Sequence, residues 1–183
     1  AGTEDQDTVT ANTFTAFKSR LPWLIASWAG GIFGAMILGN FSTTLEKVLA
    51  LAFFMPVVFG MGGNVGSQSS TITVCGLATG ELSSNNVFSR LRKEASVGLI
   101  LGLTFGILLS IASLALFNDP RLSLITGLSI CVTMTCAASL GSILPLILEK
   151  VGFDPTIASG PFVTTGTDIL SITIYFSIAT YFL

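Results

Sequence analysis

Gly160-Pro161-Phe162-Val163-Thr164-Thr165-Gly166-Thr167-Asp168-Ile169 lies near the middle of the last apolar segment of a 183-residue chain. It holds a carboxylate with long uncharged runs on both sides. The other nine of the ten acidic residues fall in the N-terminal stretch, between apolar segments or at their ends. A carboxylate at membrane depth costs about 2.5–3.5 kcal/mol on insertion scales, and more by other measures. Such a group is kept where a cation, a proton or a partner compensates it. The segment offers neither Lys nor Arg. The missing positive charge is therefore expected to be a passing metal ion.

The composition around this stretch is that of a membrane protein. The chain is 51% hydrophobic and 10% charged, against roughly 25% charge in a soluble domain. Counting spans thus replaces counting domains by length. Five apolar segments can be drawn, over about Leu21–Leu38, Val48–Ala78, Ala95–Phe117, Leu122–Leu148 and Thr156–Leu183. A helical span needs about 20 residues. The second, fourth and fifth segments exceed that, so tilt, breaks or protruding ends are expected. The fold class is an all-α, polytopic bundle of five transmembrane helices per protomer. Residues 1–19 read as a polar N-terminal tail and residues 20–183 as the transport domain. The acidic start (Glu4, Asp5, Asp7) is unlike a signal peptide and reads as a disordered tail or the end of an upstream domain.

The basic residues orient the spans. Lys18, Arg20, Arg90, Arg92, Lys93 and Lys150 fall on one side, and Lys47 and Arg121 on the other. By the positive-inside rule the N-terminus is cytoplasmic and, after five spans, the C-terminus is outside. The expected location is the inner or plasma membrane, with the lipid bilayer as one partner and no nucleic-acid partner.

The second segment changes character halfway. Val48 to Phe59 is almost wholly apolar, with Pro56 inside it; then comes Gly60-Met61-Gly62-Gly63-Asn64-Val65-Gly66-Ser67-Gln68-Ser69-Ser70-Thr71. Polar groups at membrane depth are buried in protein or line a wet cavity. Asn64 and Gln68 are four apart, on one helical face with Gly60. Two amides can glue helices together or line a hydrated route. A second polar segment favours the route. That segment is the fifth, where Pro155 suits a first helical turn and Thr164 and Asp168 share a face. From Pro155 to Asp168 an unbroken helix climbs about 20 Å, well into a bilayer. Both segments carry a proline followed by glycines, and paired broken segments mark midplane sites in transporters. The repeats Gly30, Gly31, Gly34 and Gly98, Gly102, Gly106 read as close helix packing.

The ligand chemistry narrows the ion. The chain has no His, which removes the commonest zinc ligand and general base. Cys75, Cys131 and Cys136 lack a metal-binding spacing and read as packing residues. Oxygen ligands alone favour hard cations. One carboxylate with hydroxyls and amides is too sparse for a calcium cage but suits a magnesium ion that keeps its waters. One protomer supplies one negative charge to a divalent ion, so a two-fold homodimer with two copies of Asp168 near its axis is expected. The candidate metal site is Asp168, Thr164, Asn64 and Gln68, with Mg2+ as the transported ion. The chain is not expected to be an enzyme. An intramembrane aspartyl protease needs two acids sharing a proton, and one deep Asp is present. A sodium- or proton-coupled divalent-cation exchanger using the same aspartate is the alternative.

These residues resemble a known family. Phe54-Met55-Pro56-Val57-Val58 with Gly62-Gly63-Asn64-Val65-Gly66-Ser67-Gln68-Ser69 is similar to the second membrane helix of the MgtE magnesium transporters and their eukaryotic solute-carrier relatives. Gly76-Leu77-Ala78-Thr79-Gly80-Glu81-Leu82 extends that match, and Asp154 through Asp168 looks like the family's last helix. The resemblance runs from about Leu21 onward. It implies a dimeric magnesium channel or transporter with the second and fifth helices lining the pore. Asp168 matches the ion-coordinating aspartate, and Asn64 and Thr164 match positions near the hydrated ion. Ser67 stands where many members carry another amide. The family's cytoplasmic regulatory regions, tandem CBS domains among them, are not in this sequence, which reads as the membrane domain of a longer protein or as a shorter branch.

Overall fold

The computed structural model describes residues 12–82 and 87–183; the N-terminal tail up to residue 11 lies outside them. Six helices follow in order: α1 (Thr13–Gly39), α2 (Ser42–Lys47), α3 (Ala50–Ala78), α4 (Val87–Phe117), α5 (Pro120–Lys150) and α6 (Pro155–Phe182). The described residues contain no strand. Every long helix is apolar and long enough to cross a membrane, and α2 is a short connector. The all-α, five-span expectation holds, because in lipid a helix pairs its backbone groups within itself.

Three features depart from the sequence reading. First, α1 and α4 begin eight residues before the apolar segments do. Arg90, Arg92, Lys93 and Glu94 are therefore helical, not loop. Charged residues have good helix propensity, and apolar runs mark only the lipid-facing part of a longer helix. Second, α3 and α6 run unbroken through Pro56 and Pro161. One proline removes one hydrogen bond, and neighbours can make up the loss. The carbonyl that Pro56 leaves without its helical donor is that of Ala52; at the residue before it, the Tyr175 hydroxyl donates to the Leu51 carbonyl at 2.8 Å. Third, α2 is a helix the sequence did not announce.

The centre is α5. Its flanks carry small or hydroxylated residues, among them Ser129, Thr133, Ala137, Ala138 and Ser142, and all of these are buried. Asp119 caps its start, accepting from the Arg121 and Leu122 amides, with Pro120 in the first turn. On one side α4 lies almost backbone to backbone on α5. A methyl added at Gly98, Gly102 or Gly106 would meet the carbonyl oxygens of Met134, Cys131 and Gly127 at 2.9, 2.6 and 2.8 Å. On the other side α3 and α6 pack on α5, and α1 packs chiefly on α6. At the α2 end, Leu51, Phe54, Val58, Tyr175, Phe176 and Ala179 join one buried cluster with Phe41 and Leu45 against it. The ring of Phe41 stacks on Phe176 at 5.7 Å.

Candidate functional site

Successive residues turn about 100° around a helix, and the glycines of α3 fix which way it faces. Gly62 lies against Thr133 and Ser171, and Gly66 against Ala137, Val163 and Thr167, so this side is buried on α5 and α6. Asn64, two residues from each, is on the opposite side. That side is exposed along its whole length, but its chemistry changes. Phe53 and Val57 occupy the first half; Gly60, Asn64, Ser67, Gln68 and Thr71 occupy the second. The polar half borders a hollow of about 520 Å³ lined by Asn64, Ser67, Gln68, Thr71 and Ile72. The Thr71 hydroxyl donates to the Ser67 carbonyl at 2.9 Å.

On α6 a second polar strip is held between two packed flanks. Thr165, Ile169 and Ile172 lie against Gly30 and Gly34 of α1, while Val163, Thr167 and Ser171 lie against Gly62 and Gly66 of α3. Thr164 and Asp168 fall between these flanks and both are exposed. The Thr164 hydroxyl donates to the Gly160 carbonyl at 3.0 Å. That bond uses its proton and leaves the oxygen lone pairs outward as acceptors. Among the described residues no salt bridge reaches Asp168; the ion pair found is Arg90–Glu94 on α4. No group of three or more acidic, His or Cys side chains gathers among the described residues. The α6 strip thus carries one carboxylate, with the Thr164 hydroxyl one turn before it.

The four residues singled out from sequence thus fall on two strips, Asn64 with Gln68 and Thr164 with Asp168. The strips do not face each other across the α3–α6 contact, since Gly62 and Gly66 make that contact from the far side of α3. Sequence reasoning left Ser67 and Thr71 out of the site, although their spacing of three and seven residues from Asn64 places them on its face. It also left out the interior charges of α4, which it read as loop.

A family model described as a divalent cation transporter, MgtE, matches residues 55–178, a span that holds both strips. A magnesium transporter MgtE of Bacillus subtilis (strain 168) is 37% identical over 176 residues, which cover 96% of this chain and 39% of the relative. One of Enterococcus faecalis is 33% identical over 179 residues, 98% of this chain and 40% of the relative. One of Thermus thermophilus is 37% identical over 169 residues, 92% of this chain and 37% of the relative. The chain spans about two fifths of the length of these relatives.

Proposed function

This chain belongs to the MgtE family of divalent cation transporters, and from that premise we propose that it carries hydrated Mg2+ across a membrane, with Asp168 holding the ion through its waters. The observation that carries this reading is Asp168 itself, exposed on a strip of a membrane-spanning helix with no cationic side chain on it. Magnesium gives up its waters reluctantly, and the waters of a hydrated cation point their hydrogens outward. The lining they need is made of acceptors. The Asp168 carboxylate, the Thr164 hydroxyl oxygen and the amide oxygens of Asn64 and Gln68 supply them.

A divalent ion beside one carboxylate is half neutralised. Two copies about a two-fold axis supply two carboxylates, and they also cover polar strips that lipid cannot solvate. The proposed pore is therefore shared by a homodimer and lined by α3 and α6. The six-to-two split of basic residues supports a cytoplasmic N-terminus and an outside C-terminus. The greater length of the relatives leaves room for the cytoplasmic regulatory region that the resemblance implies.

The test is Mg2+ uptake into proteoliposomes under an imposed potential, without a sodium or proton gradient. Uptake is expected to follow the potential, and Asp168→Asn to abolish it while the protein stays folded and dimeric. Wild-type uptake by the folded variant would remove Asp168 from the route. A strict need for a sodium or proton gradient would replace the channel reading with coupled exchange.

A further inference from the structure

The α3 polar strip is exposed on one side of its helix, so its aim depends on what grips the other side. The buried side of the polar half carries Gly62, Val65, Gly66, Ser69, Ser70 and Thr73, and its glycines offer close approach but no directional side-chain bond. The directional bond comes from elsewhere. Ser69 is buried, and its hydroxyl donates to Glu94 Oε2 of α4 at 2.6 Å. Glu94 Oε1 in turn lies 2.7 Å from Arg90 Nη2. All three side chains are at least nine-tenths buried. On α3 the nearby Thr71 and Thr73 donate to carbonyls of their own helix. Ser69 instead reaches a charged acceptor on a different helix, and such bonds are the strong ones.

This contact joins two helices, α3 and α4, that scarcely touch. Packing between α3 and α4 is slight, whereas α4 is fixed to α5 through Gly98, Gly102 and Gly106. Ser69 follows Gln68 directly and is about 140° around the helix from Asn64 and about 160° from Thr71. A bond there adds a directional restraint to the facing that the packing of Gly62 and Gly66 on α5 and α6 gives α3. The stretch Gly60 to Gly66 holds four glycines, each of which weakens the helix's own resistance to turning or bending.

We propose that Glu94, held by Arg90, is a positioning residue that fixes through Ser69 the rotation of the polar half of α3, and with it the selectivity of the ion route. The proposal rests on the ion-path reading above. Ser69→Ala removes the link and leaves the Arg90–Glu94 pair intact. Mg2+ uptake per folded molecule, or its preference over Na+, should then fall on the order of tenfold, with only the modest drop in melting temperature that the loss of one buried hydrogen bond brings. Arg90→Ala/Glu94→Ala should produce the same loss, and adding Ser69→Ala to it should cost nothing further. Arg90→Gln/Glu94→Gln keeps an acceptor for Ser69 and should restore most of the function.

A second measurement needs no flux. With Cys75, Cys131 and Cys136 replaced by Ala, a Gln68→Cys reporter is labelled with a charged, membrane-impermeant thiol reagent. Ser69→Ala should change its labelling rate several-fold. An unchanged labelling rate in the folded Ser69→Ala protein overturns the proposal. So do losses from the Ser69 and Arg90/Glu94 substitutions that simply multiply. A changed labelling rate alongside wild-type uptake by Asp168→Asn would keep the positioning role and reject the ion path.

Discussion

Two helix pairs in this molecule use small residues to opposite ends. In α4–α5 the glycines bring backbones together, and Ser110 and Ser123 exchange hydrogen bonds with each other's carbonyls at 2.9 and 2.7 Å. The bonds of these two serines close inside the pair, and on the outer surface of α4 Ile100, Ile107 and Ile111 are exposed. In α3–α6 the glycines again make the contact, but Asn64, Gln68, Thr164 and Asp168 are exposed outside it. Lipid cannot solvate that second arrangement. Glycine content therefore says that helices approach closely; the direction of the polar groups says what the approach is for.

The sharpest way to break the comparison is to exchange the expected consequences. Asp168→Asn should take Mg2+ uptake to background with no loss of thermal stability in detergent; a parallel loss of folded protein would make Asp168 a structural residue like those of α4–α5. Gly102→Val should do the reverse. Its methyls would press on the Cys131 backbone, whose carbonyl oxygen is 2.6 Å from an added Cβ, at a cost of about 1–3 kcal/mol or more. Uptake per folded molecule should stay near wild type. Gln68→Leu should lower uptake by roughly tenfold, the worth of one hydrogen bond to a charged, hydrated ion, and leave the melting temperature within a few degrees. Tyr175→Phe deletes the bond to the Leu51 carbonyl and should cost about 1 kcal/mol, read by thermal unfolding. The smallest effect belongs to Gly63→Ala. An added methyl there meets nothing within 4 Å, so stability should hold or rise by up to about 1 kcal/mol.

Much of the architecture was legible because the bilayer imposes a simple rule. Twenty apolar residues without charges make a span, whatever surrounds them. The candidate site comes from a related cost, since a carboxylate in an apolar run is expensive wherever its helix points. Asn64, Gln68 and Thr164 followed from four-residue spacing. Helix ends were misread because hydropathy marks where lipid contact stops, not where the helix stops: α4 continues through Arg90, Arg92, Lys93 and Glu94. Pro56 and Pro161 were misread as breaks because propensity is local, whereas the neighbours that hold a helix together belong to other segments.

The sequence by itself determined that this chain is an all-helical, five-span membrane protein whose last span carries one carboxylate, Asp168, in an otherwise uncharged run. Chain-local costs decide those points: the price of an unpaired backbone in lipid and of a buried charge. Only the tertiary structure decided that the strips of α3 and α6 diverge within a protomer, and that Ser69, Glu94 and Arg90 tie α3 to the α4–α5 pair. Those depend on how one helix is rotated against another, and that rotation is set by contacts between residues 25 or more positions apart.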